Sequence, residues 1–193
     1  MPPAILSERF DDALVYAARL HRRQRRKGSE VPYVSHLLAV AALVLEHGGD
    51  EVQAIGALLH DAAEDQGGLA ELARIEARFG TAVAAIVRDC SDHLEGRRPP
   101  WRPRKEAYIA SLARKPAASL LVSLADKAHN AECIRQDYRR LGEAVWERFS
   151  ADAASLRWYY GTLAERFGRL CPSPLAERLA ESVAGFAAER GRA

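Results

Sequence analysis

The sequence predicts an all-α protein of about nine helices, and three observations support this prediction. Ala, Leu, Glu and Arg, which are strong helix formers, dominate the 193 residues. Apolar residues recur at spacings of three and four in nearly every segment, as in amphipathic helices. No segment alternates apolar and polar residues over strand length beside a matching turn. We therefore expect helices packed against helices, without a sheet.

Capping residues and helix breakers predict the approximate limits of these helices. Ser7 is expected to cap a helix that runs to about Gln24, Ser35 to cap His36–His47, and Asp50 to cap Glu51–Glu64. The segment 95–103 contains three prolines and is expected to be a loop. The other predicted helices are Leu69–Phe79, a Thr81-capped helix to about Cys90, Arg104–Ala113, Pro116 to about Tyr138, Glu143–Phe167 and Pro174–Glu189.

The composition argues against several classes of protein. Lys and Arg number 28 and Asp and Glu 26, so the formal net charge of +2 does not suit a nucleic-acid coat protein. No apolar run approaches the ~20 residues that span a bilayer, and the N-terminus does not resemble a signal peptide. Three scattered cysteines do not suit a disulfide framework or a thiolate zinc site. We expect a cytoplasmic protein that does not bind membranes.

Four ionisable residues end an otherwise apolar helix in the segment AIGALLHDAAEDQG. On a helix, His60 and Glu64 are four residues apart and share a face, as do Asp61 and Asp65. Such groups are costly to bury unless they are paired or bind a metal. The pattern therefore indicates either a solvated helix end with ordinary charges or a metal site with acid–base partners.

Two further residues favour the metal site. His36 stands at the head of a strongly apolar helix, and Asp126 follows a run of Leu, Val and Ala that must be buried. Alone, His36 has an ordinary explanation as a cap or core residue, and Asp126 as the partner of an Arg or a helix N-terminus. Together with His60 and Asp61 they offer two imidazoles and two carboxylates from three helices, which a bundle can bring to its centre. Such mixed ligands suit a divalent metal with open positions for water and substrate.

The order of these residues resembles a known family. H…HD…D resembles the HD-domain metal-dependent phosphohydrolases, and the runs RRQRRKGSEVPYVSH, HDAAED and SLADKAHN together resemble the hydrolase domain of the RelA/SpoT proteins. The resemblance covers about residues 10–165 and implies an HD-domain helical bundle with a central metal site. We expect residues 1–193 to be a single domain of this type, with a C-terminal helix at about 174–189, like a bacterial small alarmone hydrolase similar to the metazoan SpoT homologue.

The resemblance implies a reaction and a cofactor. Members of the family remove the 3′-pyrophosphate from guanosine tetra- or pentaphosphate, the alarmone of the stringent response, usually with Mn²⁺. Glu64 and Asp65 match the family's acidic pair, which would position and deprotonate the attacking water, and spacing does not tell which is the base. The metal ligands that the resemblance implies are His36, His60, Asp61 and Asp126.

The resemblance also implies contacts with the nucleotide. Arg26 and Lys27 match the basic pair that precedes the first His, and Asn130 matches a residue that contacts the sugar or base. Within Trp158-Tyr159-Tyr160 the candidate to face the nucleotide is Tyr159, with core packing as the alternative. Asp92 belongs to a pair that resembles one found near the metal in the family.

Other functions stay open beside the alarmone hydrolase. A related HD enzyme would act on an adenosine 3′-pyrophosphate alarmone, NADPH or a deoxynucleotide, since base preference depends on pocket contacts that a sequence does not display. A non-catalytic alarmone-binding regulator would be expected to have lost a ligand or the acidic pair, and this chain has both. Nucleic-acid binding lacks a helix–turn–helix signature. The expected partner is therefore a small-molecule nucleotide, and the oligomeric state is left open.

Overall fold

The computed structural model describes residues 5–187, which form ten α-helices and two short 3₁₀ segments. One isolated β-bridge pairs Arg25 with Pro32, and residues 5–187 contain no β-strand. The all-α prediction is thus confirmed. The helices are α1 (Glu8–Leu20), α2 (Val34–Glu46), α3 (Glu51–Leu59), α4 (Ala62–Gln66), α5 (Gly68–Phe79), α6 (Thr81–Cys90), α7 (Trp101–Ser111), α8 (Ala117–Leu141), α9 (Ala153–Leu170) and α10 (Pro174–Ala187).

Side-chain caps begin two of the helices where the sequence predicts them. The Ser7 hydroxyl accepts a hydrogen bond from the Arg9 amide at the start of α1. Asp50 and Gln53 form a capping box at the start of α3. The helix predicted to run through Glu64 is instead divided at Asp61: α3 ends at Leu59 and α4 begins at Ala62, with His60 and Asp61 in a turn between them. This division gives ten helices where about nine are predicted.

Four other predicted limits are wrong. The first helix ends at Leu20 and not at about Gln24. Ser35 lies inside α2 and does not cap it, because the helix already begins at Val34. The helix predicted over 143–167 is interrupted: Gly142–Arg148 form a 3₁₀ segment, and Asp152 caps a new helix, α9, by accepting from the Ser155 amide. Helix α7 begins within the proline-rich segment, since a proline in a first turn loses no helical hydrogen bond. Residues 188–189 of the last predicted helix lie outside the described residues.

Among the described residues, the first compact unit comprises those up to Arg98 together with Lys115–Ala125. Helix α3 contacts α1, α2 and α6 and is buried from Ala54 onwards. Gly56 makes one of these contacts close, because a Cβ there would lie 2.7 Å from the Ile86 side chain on α6. A helix buried on all sides carries few polar groups, so the His and Asp that follow α3 need specific partners.

The second compact unit comprises Pro99–Arg114 and the described residues from Asp126 onwards. Helix α9 contacts α7 and α10. Glu132 on α8 accepts hydrogen bonds from Arg135 (2.7 and 2.8 Å) and from Ser182 on α10 (3.0 Å). These bonds lower the pKa of Glu132 to about 2, and those from Arg135 have the largest effect.

None of the described helices combines the length and the apolar character that spanning a bilayer requires. The largest fully buried side chains of the second compact unit include Tyr138, Leu163, Phe167, Leu175 and Phe186.

Candidate metal centre

His60 is the residue directly after α3, and its imidazole is buried there. Only 2% of the residue is exposed. Its Nδ1 lies 2.7 Å from the carbonyl oxygen of Ala57, which can only accept, so Nδ1 donates the hydrogen bond. In a neutral ring with its proton on Nδ1, the Nε2 atom carries the lone pair. A metal-binding histidine needs this arrangement, in which one ring nitrogen is held by a carbonyl and the other can bind the ion.

His36 and Asp126 lie beside His60 in the structure. His36 is in the first turn of α2, and its ring meets that of His60 edge-on at 5.1 Å between centroids. The candidate ligand atoms of His36, His60 and Asp126 all lie within 4.8 Å of one another. Two ligands of one ion are at most about 4.2 Å apart when each bond is about 2.1 Å, so side-chain movements of a few tenths of an ångström would bring all three atoms within reach of one ion. The nitrogen and oxygen donors of this buried group suit a divalent metal.

Asp61 lies against the same histidines. Its Oδ2 atom is 3.0 Å from Nε2 of His60 and 3.6 Å from Nε2 of His36. The Tyr33 hydroxyl donates to this oxygen at 2.5 Å. All four predicted ligands are thus brought together, and Tyr33 is an additional residue that sequence reasoning missed. Its position three residues before His36, one helical turn away, was the available signal.

Asp126 is oriented by two neighbours on α8. Lys127 donates to Oδ2 and Asn130 donates to Oδ1, each at 2.5 Å. The Lys127 ammonium also lies 5.0 Å from the centroid of the Tyr108 ring. Although burial opposes the charged form, Asp126 keeps the pKa of Lys127 above its usual value. Lys127 is therefore a charged partner of Asp126.

Glu64 projects from α4 towards the segment that follows α6. The Asp92 amide donates to one Glu64 oxygen at 3.0 Å, and the Arg98 guanidinium donates to the other at 2.5 Å. Gly68 permits this approach, because it has a positive φ and a Cβ there would lie 2.5 Å from the carbonyl oxygen of Leu94. Burial first, and then the nearby Asp92 carboxylate, raise the pKa of Glu64 to about 7. A carboxyl with such a pKa can exchange a proton near neutral pH.

Asp65 points to a different neighbour. Its Oδ2 atom accepts a hydrogen bond of 2.6 Å from the side-chain amide of Gln24, and its backbone amide donates to the carbonyl of Asp61 at 2.9 Å. Gln24 is a second residue that sequence reasoning missed. Its contact with Asp65 joins residues 41 positions apart, and the sequence carries no signal of it.

The residues expected to contact substrate have varied surroundings. The Arg26 guanidinium lies 5.7 Å from the centroid of the Tyr33 ring, next to Asp61, and Lys27 is exposed. Tyr159 is only 4% exposed and packs edge-on against Trp101 (5.8 Å). Arg26 thus lies over Tyr33, whose hydroxyl bonds to Asp61, whereas Tyr159 is part of an aromatic cluster.

Comparison with known proteins identifies the relatives of this chain. The family model described as HD domain matches residues 13–154. The guanosine-3′,5′-bis(diphosphate) 3′-pyrophosphohydrolase MESH1 of Drosophila melanogaster is 35% identical over 127 residues, which cover 64% of this chain and 68% of that protein. The bifunctional (p)ppGpp synthase/hydrolase SpoT of Escherichia coli is 33% identical over 144 residues, 69% of this chain but 19% of that protein.

Solved structures agree with these matches. The structure of a metazoan ortholog of SpoT that hydrolyzes ppGpp superposes with a TM-score of 0.74 at 26% identity, covering 92% of this chain and 95% of that one. A 1.85 Å crystal structure from Listeria monocytogenes has a TM-score of 0.70 at 26% identity and covers 83% of this chain and all of its own. The chain belongs to the HD-domain family and, within it, to the RelA/SpoT-type hydrolases.

Proposed function

We propose that this chain is a metal-dependent 3′-pyrophosphohydrolase of guanosine tetra- and pentaphosphate. The observation that carries the proposal is the buried group of His36, His60 and Asp126, whose ligand atoms lie within 4.8 Å of one another. Relatives named as guanosine-3′,5′-bis(diphosphate) 3′-pyrophosphohydrolases support the substrate. Glu64 and Asp65 supply the acidic pair that a hydrolytic reaction needs beside the metal.

The proposed reaction consumes one water. The water oxygen bonds to the phosphorus that carries the 3′ oxygen, the bond between that phosphorus and the 3′ oxygen breaks, and the 3′ oxygen takes a proton. The products are GDP or GTP and pyrophosphate. The metal, held by His36, His60, Asp61 and Asp126, would make the water more acidic and neutralise phosphate charge.

The protein's own groups would handle the proton and the substrate. Glu64 is the proposed base, because its pKa of about 7 allows it to accept a proton near neutral pH. Asp65 would orient the same water. Arg26 and Lys27 would bind the anionic nucleotide, and Arg26 can stack on a purine while it contacts phosphate. Asn130 and Tyr159 stay as proposed contacts with the sugar and base.

We also propose Mn²⁺ as the metal, the cytoplasm as the location and a single hydrolase domain over residues 1–193. Two imidazoles and two carboxylates suit Mn²⁺ among other divalent ions. Among the described residues, Cys90, Cys133 and Cys171 form no disulfide bond, as expected in a reducing compartment. The family model extends over parts of both compact units, which supports one functional domain.

The test is release of pyrophosphate by the purified chain with Mn²⁺. A panel of guanosine and adenosine 3′-pyrophosphates and NADPH, with products separated by chromatography, identifies the substrate. His60→Ala and Asp61→Asn are expected to abolish turnover, whereas Asp12→Asn, at an exposed ion pair with Arg78, leaves it unchanged. Wild-type turnover in both site variants would exclude the assignment.

Glu64→Gln separates the proposed base from the metal ligands. Metal content should persist while the rate falls by at least ~10²-fold, the usual scale for loss of a positioned base. Glu76→Gln, at an exposed position on α5, is the matched control. Loss of bound metal together with activity would make Glu64 a ligand instead.

A further inference from the structure

We propose that Gln24 is a positioning residue that orients the Asp65 carboxylate, with its own amide held in place by His21 and Gln66. This inference deepens the proposed function, since it assigns a support to one member of the acidic pair. The Gln24 side-chain nitrogen donates to Oδ2 of Asp65 at 2.6 Å. The bond occupies one carboxylate oxygen and fixes the direction of the other.

The backbone of Gln24 is held on both sides. Its amide donates to the carbonyl of His21 at 2.9 Å, in the turn that ends α1. Its carbonyl accepts from the Tyr33 amide, also at 2.9 Å. The next residue, Arg25, forms the isolated bridge with Pro32. The position of the Gln24 Cα atom, from which its side chain extends, is therefore fixed by backbone hydrogen bonds to His21 and Tyr33.

The amide of Gln24 has one favourable orientation. Its Oε1 atom lies 2.7 Å from Nδ1 of His21 and 2.6 Å from the side-chain nitrogen of Gln66, which can only donate. A flipped amide would place its NH₂ group against the Gln66 donor and its oxygen against the Asp65 carboxylate. Both contacts would be repulsive, so the NH₂ group faces Asp65.

His21 stabilises this orientation of the Gln24 amide because its own ring is held in place by burial and by stacking. It is 2% exposed, and its ring stacks on Tyr33 at 5.3 Å between centroids and 22° between planes. Its Nε2 atom has no hydrogen-bond partner within residues 5–187, so its contact with Gln24 is made through Nδ1. Since Tyr33 also donates to Asp61, one stacked pair supports both the acidic pair and the metal group.

The decisive variant is Gln24→Met, which keeps the length of the side chain and removes its amide. We expect kcat to fall roughly 10- to 100-fold, the scale for loss of a residue that orients a site carboxylate. KM and the Mn²⁺ affinity measured by calorimetry should change by less than about threefold, because Asp65 is not a proposed ligand. Gln136→Met, at an exposed glutamine bonded to Glu132, is the matched control.

A double-mutant cycle with Asp65→Asn tests whether Gln24 acts through Asp65. In that background, Gln24→Met should cost little further activity, whereas an undiminished loss would overturn the inference. A crystal structure of Gln24→Met gives a readout that needs no turnover: the Asp65 carboxylate should leave its present rotamer, and an unchanged rotamer would also overturn the inference. Wild-type protein without turnover on any panel substrate would count against the proposed function alone, because the rotamer still decides this question.

Discussion

Replacing Tyr33 by Phe removes one hydrogen bond from the metal group and keeps the ring. The lost bond joins the Tyr33 hydroxyl to Oδ2 of Asp61 at 2.5 Å. The stack on His21 and the edge contact with His36 remain available to phenylalanine. A hydrogen bond to a charged group contributes about 1.5–3 kcal/mol, which corresponds to roughly 10- to 150-fold in an equilibrium constant. We therefore expect Mn²⁺ to bind about 10- to 100-fold more weakly.

Calorimetric titration of the metal-free protein with Mn²⁺ measures this effect directly. Tyr16→Phe is the matched control, because the Tyr16 hydroxyl donates to the buried Glu71 at the same distance of 2.5 Å but away from the histidines. That variant should lower the free energy of unfolding by about 1–3 kcal/mol and leave Mn²⁺ affinity unchanged. An unchanged Mn²⁺ affinity in Tyr33→Phe would refute the view that Tyr33 orients Asp61 for the metal.

Two further predictions concern stability. The pKa of Glu132 is lowered to about 2, so its hydrogen bonds stabilise the fold above the unfolded pKa of about 4.5 and are lost as the pH falls towards 2. Urea titrations at about pH 6 and pH 3 measure this effect. Between these two pH values the free energy of unfolding of Glu132→Gln should fall by roughly 1 kcal/mol less than that of the wild-type protein. Gly56→Ala should lower the free energy of unfolding by about 1–3 kcal/mol, because its Cβ would clash with Ile86. Gly161→Ala, which has open space around its Cβ, should raise the free energy of unfolding by roughly 0.5–1 kcal/mol. Equal effects of the two substitutions would contradict the close packing of α3 on α6.

The helices were predictable where a local signal sets their ends. Asp50 begins α3 through its own side chain, and Gly80 and Gly142 follow the ends of α5 and α8. The division of the chain at Asp61 carries no such signal, because no glycine or proline lies between Leu59 and Ala62. The 3₁₀ segment Gly142–Arg148 is equally hidden, since its residues have the apolar spacing of a helix.

The metal group was predictable in its members but not in its support. Residue types and order led to His36, His60, Asp61 and Asp126, because imidazoles and carboxylates in apolar surroundings need a partner. The contacts of Gln24 with Asp65 and of Arg98 with Glu64 join positions 41 and 34 residues apart. Such pairs form only when the tertiary fold is in place, and no spacing rule within one helix reports them.

The capped start of α3 makes the length of this helix a geometric constraint. Asp50 holds its first turn, and His60 follows its last residue. Adding one residue between them would turn the imidazole by about 100° around the helix axis and shift it by about 1.5 Å along it. Substitutions on α3 can be compensated by repacking, but an insertion cannot, so length variation that leaves activity intact should be confined to loops such as residues 171–173, between α9 and α10. A designed one-residue insertion in α3 should thus abolish activity although every ligand and acidic side chain is still present in the chain.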